Sequence, residues 1–448
     1  MFKKVLIANR GEIAMRVIRT CRALGIRTVA IHSKADDDAL HVRFADEAVC
    51  VGPADAALSY LNIPAIIAAA EVTGSDAVHP GYGFLSENAT FAELCGKCHL
   101  TFIGPTPEAM RAWGDKVTAR KNALEHGLPL LPGSTVLENP EHARAEATRI
   151  GYPVILKASG GGGGRGMRIV REESEIENAY SLATTEALRG FKNPDVYLER
   201  FVERPRHIEF QVLADKHGGV WTLGERECSL QRRHQKVIEE APSPAMTEEL
   251  RAELGERIRK ALSATGYHTV GTLEFLMDER GELYFMEMNT RIQVEHPVTE
   301  ATTGLDLVEQ QLLAAAGEKL TLPDTRPWRV RGHAIECRIT AEDARSFAPW
   351  PGLITEYHPP GGGGIRVDSG VYGGWRVPSC YDSLIAKVIS YGKTRKEAIA
   401  KMRVALDEFI IGGIRTNIPL HQALLNHPDV IEGKMTTRTI EELVTSGF

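Results

Sequence analysis

The segment Pro153-Val-Ile-Leu-Lys-Ala-Ser-Gly-Gly-Gly-Gly-Gly-Arg-Gly-Met167 decides the fold class of this chain. Apolar residues at 154–156 and 167–170 predict two strands that the glycines join. A glycine loop between strands exposes backbone N–H groups that can cover a polyphosphate, with the ammonium group of Lys157 beside it. No Lys-Ser or Lys-Thr follows the glycines, so the segment is not a P-loop. It predicts a phosphate-covering lid, and a flexible linker is the alternative.

A hairpin further along the chain carries two acidic residues. Its turn is predicted to be centred between Arg280 and Gly281, which places Glu274 opposite Glu287, with both carboxylates on the same face as Asn289. Two facing carboxylates repel each other unless a cation lies between them. Mg²⁺ is typically held by one or two carboxylates together with substrate phosphates. The hairpin therefore predicts a metal site, and two solvated surface glutamates are the alternative.

The residues that follow the hairpin form a polar row. In Arg291-Ile-Gln293-Val-Glu295 an extended backbone would place a guanidinium, an amide and a carboxylate on one side, before Pro297 ends the row. The planar fork of arginine suits a small oxyanion, and the neighbouring carboxylate of Glu295 could act as a general base. A surface salt bridge is the alternative.

Strands and helices alternate at the start of the chain. A strand at 5–8, a helix at 12–24 and a strand at 28–31 predict a parallel sheet with helices on its faces. Clusters of Pro and Gly mark the later boundaries. We therefore expect a mixed α/β and α+β chain of three domains, at 1–113, 114–330 and 331–448.

Composition excludes several classes of protein. The net charge of −6 over 448 residues is unlike that of a general nucleic-acid binder, which is usually basic. No apolar stretch is long enough for a membrane helix, and Arg10 and Glu12 interrupt the N-terminal apolar residues too early for a signal peptide. The seven cysteines are scattered and odd in number, which favours reduced thiols. We expect a cytoplasmic protein that binds neither nucleic acid nor membrane.

Together, these motifs resemble the ATP-grasp superfamily and, within it, the biotin carboxylase family. The resemblance covers essentially the whole chain. It is carried by Ile7-Ala-Asn-Arg-Gly-Glu-Ile13, His79-Pro-Gly-Tyr-Gly-Phe-Leu-Ser-Glu-Asn88, residues 157–167, Gln231-Arg-Arg-His-Gln-Lys236, Glu287-Met-Asn-Thr-Arg-Ile-Gln-Val-Glu-His-Pro297 and Gly332-His-Ala-Ile-Glu-Cys-Arg338.

The resemblance implies a role for each residue at a matching position. ATP would be bound by Lys116, Lys157, Gly162, Gly163, Gly164, Arg165, Gly166, Glu199, Arg200, Val202, His207, Gln231, His234, Glu274 and Glu287. Bicarbonate would be bound by Lys236, Arg291, Gln293, Val294 and Glu295, and biotin by Tyr82 and Arg338. The catalytic residues would be Glu295, Arg291, Arg338 and Lys236. Mg²⁺ or Mn²⁺ would be held by Glu274, Glu287 and Asn289, and a homodimer interface would include Arg16, Arg19 and Arg366.

The resemblance also implies the fold and the reaction. The fold would be ATP-grasp, with a βαβ N-terminal domain, a central domain that carries a mobile glycine-rich lid at about 132–203, and a strand-rich C-terminal domain. The reaction would be ATP-dependent carboxylation of biotin by bicarbonate through carboxyphosphate, the first half-reaction of acetyl-CoA carboxylase in fatty-acid synthesis. No Ala-Met-Lys-Met biotinylation segment is found. We therefore expect a separate biotin carboxyl carrier protein and separate carboxyltransferase subunits.

Three alternatives remain. The chain could be the equivalent subunit of a pyruvate, propionyl-CoA or related acyl-CoA carboxylase. It could be another ATP-grasp ligase, although Arg338 and the long C-terminal third argue against that. A catalytically silent nucleotide-binding or scaffolding protein would be expected to lack at least one of Lys236, Arg291 and Glu295, and all three are present.

Overall fold

The computed structural model describes residues 1–159, 167–191, 193–323 and 328–447. The N-terminal part comprises β1 (Lys4–Ile7), α1 (Gly11–Ala23), β2 (Arg27–Ser33), α2 (Leu40–Phe44), β3 (Glu47–Gly52), α3 (Ile63–Thr73), β4 (Ala77–His79), α4 (Ala89–Lys97) and β5 (Thr101–Phe102). Its strands are parallel, in the order β3-β2-β1-β4-β5. Val5, Leu6 and Ile7 are fully buried, because helices cover both faces of such a sheet. The predicted βαβ arrangement is confirmed.

The next part contains the strands on either side of the glycine run. Its elements are α5 (Pro107–Gly114), α6 (Lys116–Glu125), α7 (Pro140–Ile150), β6 (Val154–Ala158), β7 (Met167–Val170), α8 (Ile176–Phe191) and β8 (Val196–Arg200). β6 pairs with β7 and β8 in antiparallel fashion, and Lys157 lies opposite Met167. The two strands predicted from the apolar residues are therefore present. Gly162, Gly163, Gly164, Arg165 and Gly166 lie outside the described residues.

One large sheet extends from the central part of the chain into the C-terminal part. The central elements are β9 (Arg206–Ala214), β10 (Val220–Arg232), β11 (Gln235–Ala241), α9 (Glu248–Ala264), β12 (Thr269–Met277), β13 (Leu283–Asn289), α10 (His296–Thr303) and α11 (Leu307–Ala315). The C-terminal elements are β14 (His333–Thr340), β15 (Gly352–Leu353), β16 (Glu356–His358), β17 (Ile365–Ser369), β18 (Arg376–Val377), β19 (Leu384–Gly392), α12 (Arg395–Glu408), β20 (Ile410–Gly412), α13 (Ile418–Asn426), α14 (Pro428–Ile431) and α15 (Thr439–Thr445). Short 3₁₀ turns lie at Lys34–Asp36, Ala56–Leu58 and Glu173–Glu175. The large sheet has the order β13-β12-β9-β10-β11-β14-β19-β17, so it crosses the boundary predicted at residue 330 through the pairing of β11 with β14.

The β12–β13 hairpin differs from its prediction in one respect. Met277 pairs with Leu283 and Phe275 with Phe285, so the turn is centred on Arg280 and not between Arg280 and Gly281. A bulge next to Phe275 then shifts the register by one residue. Such a bulge adds an unpaired residue to one strand. The predicted pair is thereby restored, and Glu274 lies opposite Glu287.

Both faces of β14 are buried, but they differ in chemistry. Ile335, Cys337 and Ile339 belong to an apolar core that includes residues of α12. Because side chains alternate along a strand, Glu336 and Arg338 point to the opposite face. The strand therefore anchors the C-terminal part on one side and supplies charged groups to the interior on the other.

Candidate active site

A cavity of about 1150 Å³ lies where the N-terminal, central and C-terminal parts meet. Its walls include most of the residues predicted for the site. These are Tyr82, Lys116, Lys157, Glu199, Arg200, Val202, His207, Gln231, His234, Lys236, Glu274, Glu287, Asn289, Arg291, Gln293, Val294 and Arg338. Glu295 is fully buried behind this wall.

A row of charged side chains crosses the sheet beneath the cavity. In register, Arg226 on β10 lies opposite Glu209 on β9, Glu209 opposite Glu274 on β12, and Glu274 opposite Glu287 on β13. Cross-strand partners share a face, so three carboxylates stand side by side. Such a row requires nearby positive charge, and the arrangement around it supplies several cations.

Lys236 provides the central cation. Its Nζ lies 2.5 Å from Oε2 of Glu209, 3.0 Å from Oε1 of Glu274 and 2.6 Å from Oε1 of Glu295. Burial alone would lower the pKa of Lys236, but these carboxylates raise it well above its ordinary value. The ammonium group of Lys236 therefore keeps its charge and holds the carboxylates of Glu209, Glu274 and Glu295 close together.

Glu295 is held as a carboxylate by two cations. Besides Lys236, its Oε2 accepts a hydrogen bond of 2.8 Å from Nη2 of Arg338. Burial would raise the pKa of Glu295, but Lys236, Arg338 and Arg226 hold it well below the ordinary range. A carboxylate paired in this way gains proton affinity when one of its cations turns to another anion.

Glu274 uses both carboxylate oxygens. Oε1 accepts from Nδ2 of Asn289 at 2.8 Å and from Nε2 of Gln293 at 3.2 Å, in addition to Lys236. Oε2 lies 3.1 Å from Nε2 of His207. Burial opposes ionisation of Glu274, but Lys236 and His207 lower its pKa. The same contact raises the pKa of His207, although burial alone would lower it.

The predicted metal ligands have a suitable donor chemistry. Glu274 and Glu287 face each other across β12 and β13, and Asn289 lies one alternation further along. These groups offer carboxylate and amide oxygens, which hard cations such as Mg²⁺ prefer. The described structure balances the pair with protein cations, because Glu287 Oε2 lies 3.2 Å from Nζ of Lys116. The residues therefore fit a divalent cation that would take over this charge compensation.

The polar row after the hairpin is not the extended segment that was predicted. The chain leaves β13 after Asn289, Glu295 is the N-cap of α10, and Pro297 lies in the first turn of that helix. Proline is favoured at this position because its missing N–H would be unpaired there anyway. Pro297 therefore belongs to the first turn of a helix instead of ending an extended row, and Glu295 turns inward while Arg291 and Gln293 line the cavity.

Three side chains hold the guanidinium group of Arg291. Its Nε donates to Oε2 of Glu87 at 2.9 Å, Nη1 to Oε1 of Gln293 at 3.0 Å and Nη2 to Oδ1 of Asn289 at 3.0 Å. The guanidinium is thus fixed in position at the wall of the cavity.

Two further lysines line the cavity near β6 and α6. Lys157 contacts the carboxylate of Glu199, which also contacts Arg120. Lys116, at the start of α6, pairs with Glu287. Both ammonium groups are therefore paired with acids, and a polyphosphate could replace those partners.

A sharp turn between β10 and β11 brings His234 to the cavity. Arg233 and His234 form a two-residue connection, and both have positive φ, at 48° and 67°. Gln231, near the end of β10, contacts Nδ1 of His207 at 3.2 Å. Arg200 on β8 donates to Asp278 at 2.8 Å and so joins the glycine-flanking sheet to the β12–β13 hairpin.

At the other end of the cavity, Arg338 is held by two acids. Its Nε donates to Oε1 of Glu239 at 2.5 Å, in addition to the Glu295 contact. Burial opposes its charge, but Glu239 and Glu295 raise the pKa of Arg338. Tyr82 lines the same cavity, and its hydroxyl group contacts Glu12.

Arg16, Arg19 and Arg366 line a second cavity of about 570 Å³ on another face. Arg16 and Arg366 each contact Glu300, at 2.7 Å in both cases. The structure therefore brings the three residues predicted for a dimer interface together.

Several residues of the site were missed by sequence reasoning. Glu209 alternates with His207 on β9, so a period-two pattern could have indicated it. Glu87 lies within a quoted motif but was given no role. Glu239 and Arg120 carried no local signal, because strand order and helix packing bring them to Arg338 and Glu199.

Comparisons with known proteins match these observations. The model described as biotin carboxylase, N-terminal domain, matches residues 1–110, and that described as biotin carboxylase C-terminal domain matches 336–442. The carbamoyl-phosphate synthase L chain, ATP binding domain, matches 115–322. A biotin carboxylase of Haemophilus influenzae is 56% identical over 444 residues, covering 99% of both chains. The chain belongs to the biotin carboxylase family.

Solved structures of the family share the fold. A biotin carboxylase from Campylobacter jejuni, described as a β,γ-ATP complex, has a TM-score of 0.94 at 48% identity, covering 99% of both chains. The biotin carboxylase domain dimer of the Hydrogenobacter thermophilus 2-oxoglutarate carboxylase, in complex with MgADP, ADP and bicarbonate, has a TM-score of 0.92 at 49% identity and covers 99% of this chain and 98% of that one. The predicted family and fold class are confirmed, and with them the expectation of a ligase.

Among the described helices, no helix combines the length and apolar character that crossing a bilayer requires.

Proposed function

We propose that the chain catalyses ATP-dependent carboxylation of biotin by bicarbonate, with biotin carried on a separate protein. The observation that carries this proposal is the arrangement around Glu295. A buried carboxylate is held by Lys236 and Arg338, while Arg291 lies at the wall of the same cavity. Binding, proton removal and capture of the carboxyl group each have a candidate side chain there.

The nucleotide would bind at the end of the cavity that contains Lys116 and Lys157. Their present partners are carboxylates, so phosphate oxygens would replace one anion with another. Glu199, Arg200 and Val202, which would contact the adenine, line the same cavity. A divalent cation on Glu274, Glu287 and Asn289 would supply positive charge to the transferring phosphoryl group. The proposal that Gly162 to Gly166 cover the phosphates rests on the sequence.

Bicarbonate would bind between Lys236, Arg291, Gln293 and the backbone of Val294. As Lys236 turns toward the bicarbonate oxygens, Glu295 loses part of its cationic shielding and becomes a better base. Its carboxylate would take the bicarbonate proton while a bicarbonate oxygen attacks the γ-phosphorus and ADP leaves. The product, carboxyphosphate, would break down to CO₂ and phosphate, and closure of the lid expected from the sequence would limit access of water to it.

Biotin would lie against Arg338 and Tyr82. The phosphate released beside it would take the ureido N–H proton, and the guanidinium of Arg338 would stabilise the negative charge on the ureido oxygen. The nitrogen then attacks CO₂ to give carboxybiotin. Both half-steps share Glu295, which contacts Lys236 on one side and Arg338 on the other.

The proposal also covers the complete enzyme, its partner proteins, its oligomeric state and its compartment. We propose acetyl-CoA carboxylase as the complete system, with a biotin carboxyl carrier protein and carboxyltransferase subunits as partners, and a homodimer through Arg16, Arg19 and Arg366. A dimer is supported by the 2-oxoglutarate carboxylase structure described as a dimer. The cysteines are all free thiols, which is consistent with the cytoplasm as the compartment.

The decisive assay measures ADP release by the purified protein with Mg²⁺ and ATP. We expect release to depend on bicarbonate and to rise when biotin or biotinylated carrier is added. No response to biotin would contradict the proposal and would favour another ATP-dependent ligase.

The variant Glu295→Gln tests the assigned base. It keeps the size of the side chain and removes its proton affinity, so biotin-dependent turnover should fall by roughly 10²-fold or more. Glu282→Gln, on the exposed turn of the hairpin, is the control. Near wild-type turnover by Glu295→Gln would show that the base is misassigned.

A further inference from the structure

Behind the cavity, Glu336 lies in an unusual environment for a carboxyl group. It is fully buried on β14, and neither of its oxygens has a hydrogen-bond partner among the described residues. An ionised carboxylate in such a place is costly unless it is paired and hydrogen-bonded. The residue takes no part in the proposed reaction, so its state requires a separate explanation.

The sheet register sets Glu336 against another acid. Glu239 on β11 lies directly opposite it, and like charges at such positions destabilise a sheet. Glu239 has a cation of its own, because its Oε1 accepts from Arg338 at 2.5 Å. Its Oε2 has no partner among the described residues. Of the two acids, Glu239 is therefore the one whose negative charge is stabilised by contact.

The opposite side of Glu336 is apolar. Ile389 on β19 is its cross-strand neighbour, and Ala334 shares its face of β14. These two residues belong to an apolar cluster with Val298 of α10 and Ala241 of β11. The polar exception on that side is Lys387, two residues before Ile389 on β19, and none of the hydrogen bonds of the described residues joins it to Glu336.

The charged groups that face Glu336 come from three directions. Lys387 on β19 is fully buried, but its Nζ donates to the carbonyl oxygen of Val294 at 2.7 Å and lies 3.2 Å from Glu12. Arg338 is engaged by Glu239 and Glu295. Burial raises the pKa of Glu336 well above its ordinary value, and it raises the pKa of Glu239 less, because Arg338 contacts Glu239. The available cations are therefore committed to other acids.

We propose that Glu336 is a buried carboxylic acid that keeps its proton at neutral pH and acts as a positioning residue for Arg338. With Glu336 neutral, Glu239 remains the anion that anchors Arg338 toward the cavity, and the two acids do not repel each other. The location of the proton is a property of the folded chain alone. Only its consequence for biotin rests on the proposed function.

Infrared spectroscopy of the full-length protein without ligands tests the proposal. A protonated carboxyl group has a C=O stretching band above the amide and carboxylate bands. We expect this band in the wild-type protein at neutral pH, expect its loss in Glu336→Gln, and expect it to persist in the exposed control Glu282→Gln. Survival of the whole band in Glu336→Gln, or its absence from the wild type, would overturn the proposal.

A titration of the wild-type protein covers the case in which a variant does not fold. The band should be present at neutral pH and weaken as the pH is raised, and its absence at neutral pH would refute the neutral acid. Folded variants allow a second measurement. Because the folded-state pKa of Glu336 lies above the unfolded value, stability is lost as the pH rises through the folded value. The Tm of the wild type should therefore fall by a few degrees relative to Glu336→Gln between neutral and alkaline pH, and a constant difference would contradict the proposal.

Neither measurement involves turnover. If the infrared band is assigned as expected while biotin-dependent ADP release fails, the neutral acid stands and the proposed function does not. The reverse result would leave the function intact and remove the role given to Glu336.

Discussion

At the scale of single residues, the site is organised by competition for cations. Lys236 contacts three carboxylates and Arg338 two, so each acid holds its charge only while these cations stay in place. Anionic substrates entering the cavity would draw the same cations. The proton affinity of Glu295 is thereby coupled to the arrival of bicarbonate.

Arg291→Lys tests whether geometry or charge matters at the bicarbonate site. Lysine keeps the positive charge but cannot reproduce the fork that contacts Glu87, Gln293 and Asn289. We expect the KM for bicarbonate to rise by roughly 10-fold or more, equivalent to about 1.4 kcal/mol, while the KM for ATP and the Tm stay near wild type. Steady-state kinetics with varied bicarbonate measure the change.

The control is Arg111→Lys, because Arg111 is an exposed arginine that contacts an exposed glutamate, Glu93, away from the cavity. It should leave all three quantities unchanged. An unaltered bicarbonate KM in Arg291→Lys would contradict the role given to the fork.

His41 makes the fold sensitive to acid. It is 1% exposed, both ring nitrogens lack hydrogen-bond partners among the described residues, and burial lowers its pKa to about 4. The unfolded chain, with an ordinary pKa of about 6.5, binds more protons between these values, so stability falls as the pH drops through this window. By pH 5 the loss from this residue is about 2 kcal/mol.

The variant His41→Leu removes this imidazole. Its Tm should therefore decrease less than that of the wild type between pH 7.5 and pH 5, as measured by thermal unfolding. His358→Leu, at an exposed position of β16, is the control and should follow the wild type. Parallel Tm curves for His41→Leu and the wild type would rule out this explanation.

Some of these residues could be identified from the sequence and others could not. Glu274 and Glu287 were paired correctly because a hairpin brings neighbouring segments together, even though its turn and bulge were not foreseen. The alternation with His207 could have indicated the face of β9 on which Glu209 lies, but its position beside Glu274 depends on the strand order β12-β9, which the sequence does not show. The inward turn of Glu295 follows from its position as the N-cap of α10, which begins at His296, and the prediction of an extended row did not include this helix start.

At the scale of elements, the β10–β11 turn combines an unfavourable backbone with a position at the cavity. Both of its central residues adopt the left-handed region without being glycine. Two-residue hairpin turns of this kind favour Asn and Gly. The turn therefore has an unfavourable backbone conformation at the point where His234 lies at the cavity.

Arg233→Gly should therefore stabilise the protein by up to about 1 kcal/mol, whereas Arg233→Val should destabilise it by roughly 1–2 kcal/mol. Thermal or denaturant unfolding measures both changes. Arg232→Gly is the matched control, because Arg232 lies in the strand, where glycine weakens the fold, and its guanidinium stacks on Phe347 at 3.7 Å. Equal effects of glycine at 232 and 233 would contradict the interpretation of the turn.

At the scale of the whole molecule, the β11–β14 pairing joins two parts that the sequence divides. The proline residues before residue 330 predicted a domain boundary, because local composition indicates where a chain turns. Local composition does not indicate which strands pair on either side of such a boundary. The paired strands β11 and β14 form a seam between the two parts. In this seam Ile238 lies opposite Cys337, and Glu239 on β11 contacts Arg338 on β14.

A chain of residues 1–330 should consequently aggregate or unfold at low temperature, because it exposes the edge of β11 together with the apolar side chains of Val237 and Ile238. Size-exclusion chromatography and thermal unfolding would show this. Co-expression with residues 331–448 should restore a folded complex, and a monodisperse, cooperatively melting 1–330 fragment would contradict the expectation.

The same seam affects how relatives of this chain can be recombined. A chimera that joins the first two thirds of one family member to the last third of another would have to match β11 with β14, residue by residue, before it could assemble a working site. Genetic exchange at this point would disrupt the anchoring of Arg338 together with the fold. The seam therefore favours inheritance of both parts as a single unit, and a laboratory library that shuffles family members should retain function most often when its crossovers avoid the interval between these two strands.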